Sequence, residues 1–221
     1  MNRNIAIIPA RGGSKRLPNK NIKLLGSLPL IAHSIKFAQE NGIEKIVVST
    51  DDDAIKKIAI DYGAEVILRP AELAIDTSPT IDALKHVIQS IPEDFDTIIL
   101  LQPTNPLRPK NLLEDALKIM KEQNYDSLMS VSRNHQKFGK ISKNKFVPFN
   151  YEFGQRSQDL EPLFFENGLL YITNSESILN GEILAGNNFP LIVNHPYSQV
   201  DIDTEEDFKF AEYILENHPN E

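Results

Sequence analysis

The chain has 221 residues, 41% of them apolar and 24% charged, the mix of a globular chain long enough to bury a core without metal or disulfide staples. It contains no cysteine, which excludes disulfide scaffolds, Cys-ligated zinc, iron–sulfur clusters and thiol catalysis, and fits a reducing compartment. A formal net charge of −8 argues against general nucleic-acid binding. No apolar run approaches the roughly 18 residues of a membrane span, and the N-terminal apolar stretch is too short for a signal peptide.

Residues 5–9 are a continuous apolar run, the mark of a strand buried on both faces. Residues 30–39 put Ile31, Ile35 and Ala38 on one helical face, with Gly42 where a stop belongs. A strand at 46–50 precedes a helix at 51–62, which turns Ile55, Ile58 and Tyr62 inward and is stopped by Gly63. After a short strand at 66–68, Ser78 and Pro79 read as an N-cap and first-turn pair, opening a helix with Leu84, Val87 and Ile88 inside. A strand at 97–101, a helix at 111–121 and a strand at 128–131 continue the alternation. This rhythm predicts βαβ crossovers, hence an α/β domain with a mostly parallel sheet between layers of helices.

The rhythm breaks between Arg133 and Glu166. That stretch is polar, holds Phe138, Phe146, Phe149, Tyr151 and Phe153, and alternates loosely. It reads as an arm of about residues 133–166, a β-hairpin in outline, inserted in one domain spanning 1–221; excursions of this length are usually functional or partner-bound. Strands at 169–173 and 191–194 and a helix at 204–215 follow, with 217–221 as a fraying end.

Open parallel sheets bind ligands beyond the carboxyl ends of their strands. The segment there after the first strand is Pro9-Ala10-Arg11-Gly12-Gly13-Ser14-Lys15-Arg16-Leu17-Pro18-Asn19-Lys20-Asn21. Its paired glycines let backbone N–H groups approach an anion, and Arg11, Lys15, Arg16 and Lys20 supply charge. It is neither a Walker loop nor a GxGxxG turn. A solvated basic turn has the same composition, but the placement directly after a buried strand favours a triphosphate. Its charge, shifting to a leaving pyrophosphate, would be met by point cations and amides.

The run I-I-P-A-R-G-G-S-K-R-L-P-N-K-N resembles the N-terminal signature of the acylneuraminate cytidylyltransferases, or CMP-sialic acid synthetases. V-V-S-T-D at 47–51, L-R-P-A-E-L-A at 68–74, L-L-Q-P-T-N-P-L-R at 100–108, E-N-G-L-L-Y at 166–171 and D-I-D-T-E at 201–205 are similar to further family blocks, in order. The resemblance covers essentially the whole chain.

It implies a Rossmann-like nucleotidyltransferase that joins CTP to a sialic-type sugar acid. Arg11, Ser14 and Lys15 would bind the β- and γ-phosphates, with Ala10, Gly12 and Gly13 in the same nucleotide loop. Lys20 and Asn21 would approach the α-phosphate and nucleoside, and the catalytic group would comprise Lys20, Arg11 and Lys15. Arg16 departs from the small residue many members carry. Arg69 either holds the cytosine region or caps a sheet edge, and Thr80 would lie near the ribose. Gln102 would hydrogen-bond the sugar acid, as an amide offers donors and acceptors to a polyol. Arg108 contacts ligand or pins its loop, with the loop role favoured. Lys140 and Arg156 of the arm, and Tyr171 of N-G-x-x-Y, are the remaining substrate-binding candidates, though a strand tyrosine is as readily core.

Asp201 and Asp203, two apart beside apolar neighbours, would turn both carboxylates to one face at a strand end and suit Mg²⁺. Asp203 with Glu206 also reads as a helix cap. The family expectation adds a homodimer, each arm covering the other chain's pocket, in the cytoplasm, with no nucleic acid or membrane partner. His33, His86, His135, His195 and His218 show no metal-ligand spacing. The rivals are a synthetase for the eight-carbon Kdo acid, disfavoured by E-N-G-L-L-Y and R-S-Q-D-L, and a nucleotide-binding homologue without turnover.

Overall fold

The computed structural model describes residues 3–218. In chain order the strands are β1 (Asn4–Pro9), β2 (Leu24–Leu25), β3 (Leu28–Pro29), β4 (Lys45–Thr50), β5 (Glu65–Leu68), β6 (Thr97–Leu100), β7 (Ser127–Asn134), β8 (Gly139–Ser142), β9 (Lys145–Pro148), β10 (Leu163–Asn174) and β11 (Asn188–Ile192). The helices are α1 (Leu30–Glu40), α2 (Asp53–Asp61), α3 (Thr80–Ser90), α4 (Leu112–Gln123), α5 (Ser175–Asn180) and α6 (Glu205–Asn217).

One seven-stranded sheet runs β11-β7-β10-β6-β1-β4-β5. β1 pairs in parallel with β4 and β6, and β4 with β5, because helical crossovers return the chain to the same end. β10 is antiparallel to both β6 and β7, since it comes back from β7 through the arm without a crossover helix; β11 is parallel to β7. The sheet is therefore mostly parallel, as expected.

Alternation along β1 feeds two cores. Ala6 and Ile8 pack with Ile31, Ile35, Ile55 and Leu113 from α1, α2 and α4, while Ile5 and Ile7 pack on the other face with Leu84, Val87 and Ile178 from α3 and α5. All four strand residues are fully buried, which is why β1 reads as a continuous apolar run. A third cluster seats α6: Leu17, Leu25, Val200, Ile202, Phe208 and Ala211 tie the basic loop and the 200–203 segment to one support.

Several boundaries move. Ser78 does not cap α3; Pro79 stands at the cap with extended backbone, and the Ser78 hydroxyl donates to the Glu72 carbonyl (3.2 Å). The last strand covers 188–192 rather than 191–194, because its register follows β7 from Asn188↔Ser127. β7 and β10 are longer than their apolar centres and pair outward to Leu163↔Asn134, so the excursion from the sheet begins after Asn134 and ends before Leu163. Within it β8 and β9 form a separate antiparallel hairpin, in which Ile141 is 82% exposed; Phe149 and Phe153 beyond it are 68% and 75% exposed. Asn217 closes α6, and residues 219–221 of the expected frayed tail lie outside the described residues.

Candidate active site

The connections β1–α1–β4–α2–β5 progress to one side of β1, and α3 then carries the chain back across it to β6. The carboxyl ends of β1 and β6 thus flank a reversal of strand order, where an open α/β sheet splays into a crevice. Two clefts open there. The upper one is lined by Pro9, Arg11, Ser14, Lys20, Asn21, Arg69, Thr80 and Gln102, among others. The lower one is lined by Gln102, Thr104, Asn105, Glu166, Asn167, Gly168, Tyr171, Asp201 and Asp203, with neighbours from 198–199. Gln102 and Thr104 line both.

The basic loop leaves β1 at Ala10, whose amide donates to Ser49 O (2.9 Å) and whose side chain is buried. Ala10 therefore extends the β1–β4 ladder through its amide, and its side chain and N–H are taken up by the sheet. Gly12 N donates to the Asp51 carboxylate (2.8 Å), and Gly13 takes φ +63°, where a side chain would be strained. Arg11 and Lys15 both pair with Asp76, Arg11 at 2.7 Å. The hydrogen bond from Lys15 is the main cause holding the Asp76 carboxyl below the usual range. Lys15 is itself exposed and lines neither cleft.

Lys20 enters a 3-10 turn after Asn19, whose φ is +56°. It is 8% exposed, and its Nζ donates to Ile202 O (2.7 Å) and to Asp203 Oδ1 (3.0 Å). Arg16 takes the other oxygen of the same carboxylate (2.5 Å). Asn21 Nδ2 holds Arg11 O (3.0 Å), bracing the loop against itself. Arg69 is buried at the end of β5, with Nε on Ser49 Oγ (3.1 Å) and Nη2 on Ser49 O (2.8 Å). It caps the sheet edge and also lines the upper cleft. Burial pulls its pKa down.

The lower cleft is built differently. In β10 the pairing with β7 jumps between Glu166 and Tyr171, a bulge centred on Asn167 and Gly168. Gly168 has φ +73°, and a Cβ there would lie 2.5 Å from Asn105 Oδ1. Asn105 Nδ2 donates to Asn167 O (3.1 Å) and Val200 O (2.9 Å); the Asn167 amide bonds Ser130 (2.6 Å) and Ser132 (3.0 Å). Tyr171 donates to Glu166 Oε2 (3.0 Å), and burial with that carboxylate pushes its pKa up. Tyr171 thus packs in the core and still presents its hydroxyl to the cleft, as both readings of it allowed.

Arg108 lines neither cleft: its guanidinium bonds Leu169 O, Gln102 O and Ser34 Oγ, the loop-pinning role. Lys140 and Arg156 are exposed on the arm, line neither cleft, and Arg156 pairs with Asp159 (2.7 Å); a single chain does not bring them to the substrate site. Asn105, Glu166 and Asp76 joined the site without having been singled out: the partners of Asn105 and Asp76 lie far off in sequence, while Glu166 meets Tyr171 across the bulge, for which the N-G break was the one local signal.

Residues 200–203 are not a strand; the segment is anchored by Ile202 N on Thr104 O (2.8 Å). Val200 and Ile202 are nonetheless buried, so Asp201 and Asp203 turn together into the lower cleft. The α6 cap is Thr204 with Asp207 in a capping box, so the Asp203–Glu206 cap is ruled out and Asp203 is left for other work. Asp201 stands at the cleft mouth with its outer side in solvent; enclosure by the wall and the neighbouring Asp203 charge hold its carboxyl above the usual range. Two like charges in one cleft are relieved by a cation. Among the described residues no cluster of three or more His, Cys, Asp or Glu forms a metal cage. Two carboxylates completed by phosphate oxygens and waters are a donor set that fits Mg²⁺.

Fold and site together define a nucleotidyltransferase, and the chain belongs to the cytidylyltransferase family, whose sequence profile matches residues 5–218. Within that family it is of the N-acylneuraminate cytidylyltransferase type. It is 37% identical to a CMP-N,N'-diacetyllegionaminic acid synthase of Legionella pneumophila, covering 96% of each chain. It is 35% identical to an N-acylneuraminate cytidylyltransferase of Escherichia coli over 94% of this chain and 51% of that one, and so spans about half the length of that relative. A CMP:2-keto-3-deoxy-manno-octonic acid synthetase solved with CTP superposes with a TM-score of 0.73 over 97% of this chain and 99% of that one, at 17% identity, which shows the shared fold.

Proposed function

We propose that the chain transfers CMP from CTP to the anomeric 2-hydroxyl of a nonulosonic, sialic-type acid. The observation that carries this reading is the meeting of the two clefts at Gln102 and Thr104, the upper cationic and the lower lined by amides, hydroxyls and the carboxylates Glu166, Asp201 and Asp203. The sugar oxygen attacks the α-phosphorus. The bond from that phosphorus to the bridging oxygen of the β-phosphate breaks, pyrophosphate leaves with it, and the hydroxyl proton passes to solvent. Both reactants are anions, so the protein's work is to hold them together and offset their repulsion.

Arg11, Lys15, Ser14 and the Gly13 amide, with that of Gly12 once it leaves Asp51, take the β- and γ-phosphates, and Lys20 serves the α-phosphate. Asn21, Arg69 and Thr80 hold the nucleoside, and Gln102 with Tyr171 the sugar acid. Asp201 and Asp203 hold Mg²⁺, which would supply charge neutralisation for the triphosphate.

The lower cleft has no lysine or arginine among its lining residues, yet its ligand is an acid. A second copy supplies that charge through Lys140 and Arg156, and the exposed aromatic arm is the surface on which the homodimer forms. The cytoplasm, where CTP is made, is the compartment this reading requires; among the described residues no helix is long and apolar enough to cross a membrane.

The test is pyrophosphate release from CTP and Mg²⁺ with a panel of nonulosonic acids and Kdo. Release with a nonulosonic acid supports the reading, and release with Kdo alone reassigns the sugar. Tight CTP binding without release from any acid identifies an inactive homologue.

A further inference from the structure

Arg108 is an anomaly of the core. It is 6% exposed, it forms no ion pair among the described residues, and burial pulls its pKa down to about 9. Its guanidinium lies over the ring of Phe37, 5.5 Å from the centroid. A buried charge without a counter-ion is expensive to keep, and a methionine of similar length would fill the space. What the charge does is donate a fork: Nε to Leu169 O at 2.6 Å, Nη2 to Gln102 O at 2.9 Å, and Nη1 to Ser34 Oγ at 3.0 Å.

Two of those acceptors are backbone carbonyls of neighbouring segments, just beyond the end of the β6–β10 pairing and beside the lower cleft. Gln102 begins the loop after β6, and Leu169 closes the Asn167–Gly168 bulge of β10. From the same loop Asn105 grips that bulge on its other side, at Asn167 O, and reaches Val200 O beside the acidic segment. Gly168 lies between the two grips and closely against Asn105, so the bulge has no room to shift toward the loop.

We propose that Arg108 is a positioning residue of the lower cleft: acting from behind its walls, the guanidinium fork ties the Gln102 loop to the Asn167–Leu169 bulge and sets the width of the pocket that takes the sugar acid. This rests on the assignment of that cleft to the acid. The planar fork is essential, because a lysine ammonium carries the same charge as a point and does not span two carbonyls held apart.

The test compares Arg108→Lys, which keeps charge and loses the fork, with Ser34→Ala, which removes only the bond that leads away from the cleft. Pyrophosphate release is titrated in each substrate, and deuterium uptake is followed by mass spectrometry over peptides covering 163–174 and 4–9. Misplaced walls should lower kcat/KM for the acid by about 10- to 100-fold in Arg108→Lys while KM for CTP stays within about twofold. Uptake should quicken over 163–174 and not over 4–9. Ser34→Ala should change neither the acid kinetics nor that uptake.

Equal losses toward CTP and acid, parallel loosening of both peptides, or no change in either readout would overturn the proposal. If Arg108→Lys does not fold, Asn105→Ser releases the other grip on the same bulge and is read by the same criteria. If the wild-type protein turns over no acid, the proposed function falls, but the uptake comparison still decides whether Arg108 clamps the bulge.

Discussion

The two clefts share a floor at Gln102 and Thr104 and differ in almost everything else. The upper one and the basic loop beside it depend on long cationic side chains, most of which rest on carboxylates: Arg11 and, outside the cleft, Lys15 on Asp76, Lys20 and, outside the cleft, Arg16 on Asp203. The lower one is held by short amides and hydroxyls bonded to backbone: Asn105, Asn167, Ser130 and Ser132, all buried. The first is a set of charges awaiting exchange of one anion for another; the second is already rigid. A triphosphate needs many point contacts and tolerates their rearrangement, whereas a polyol is recognised by directional bonds that must be preset.

The largest effect should come from taking away what the lower cleft lacks. Replacing residues 135–160 by a short turn removes Lys140, Arg156 and the exposed Phe138, Phe146, Phe149 and Phe153 while leaving the β7–β10 ladder in place. Dimerisation and turnover should be lost together, measured by light scattering and pyrophosphate release. A truncated chain that remains dimeric, or an active monomer, would mean that the lower cleft finds its cation elsewhere.

Lys20→Ala comes next. Its Nζ is nearly buried, so if it serves the α-phosphate as proposed, the charge developing there is poorly screened. Loss of one such preorganised donor costs roughly 10²–10³-fold in kcat. KM for CTP should move much less, because the other cations of the loop retain the ground-state contacts. A raised KM at unchanged kcat would make Lys20 an ordinary member of the upper set.

Asp203→Asn separates stability from chemistry. The α6 cap belongs to Thr204 and Asp207, so any fall in melting temperature reports the lost pairing to Lys20 and Arg16 and not the cap. Turnover at limiting Mg²⁺ should fall by about 10- to 100-fold, and recover in part at high Mg²⁺. Equal loss at all Mg²⁺ concentrations would assign Asp203 to anchoring Lys20 and Arg16 instead.

What was legible in the sequence follows the same division. The buried parallel strands announce themselves as apolar runs, and the upper cleft as a local cluster of glycine and cations directly after one of them. The lower cleft is assembled by bonds between residues tens of positions apart, such as Asn105 with Asn167 and Val200, which no periodicity encodes. The 200–203 segment shows the limit well. Alternation correctly turned Asp201 and Asp203 to one side, yet the cause is the burial of Val200 and Ile202 against α6, not membership of a strand. The cap was misplaced by one residue because Asp203 and Thr204 are both good N-caps, and only the reciprocal bond from Asp207 decides between them. Lys140 and Arg156 could not be placed at all from one chain.

A smaller effect should show whether the upper carboxylates are stand-ins. Asp76→Asn leaves Arg11 and Lys15 without a resting partner, so CTP no longer has to displace it. Exposed pairs of this kind are weak, and KM for CTP should drop by about two- to fivefold at low ionic strength. At high salt the difference should vanish, because the Debye length shrinks to about 3 Å near 1 M. A rise in KM would instead make Asp76 part of the binding surface.

The smallest expected effect is on stability, and its sign distinguishes a strained carboxylate from a supportive one. Asp201 has its folded pKa raised by enclosure and by the Asp203 charge. A raised acid favours the fold in its neutral form: that contribution is complete below the unfolded pKa and is lost as pH rises through the folded one. At neutral pH the ionised side chain therefore weighs against the fold. Asp201→Asn, neutral at every pH, should melt slightly higher than the wild type at pH 7. The gap should close as pH falls below about 4, where Asp201 is protonated in both states. Saturating Mg²⁺ with CTP should close it at pH 7 as well, since it is the wild type whose paired carboxylates gain from the cation. A variant that melts lower than the wild type across this range would show that Asp201 is held by favourable bonds, and that the seam between the clefts stores no charge repulsion for a metal to relieve.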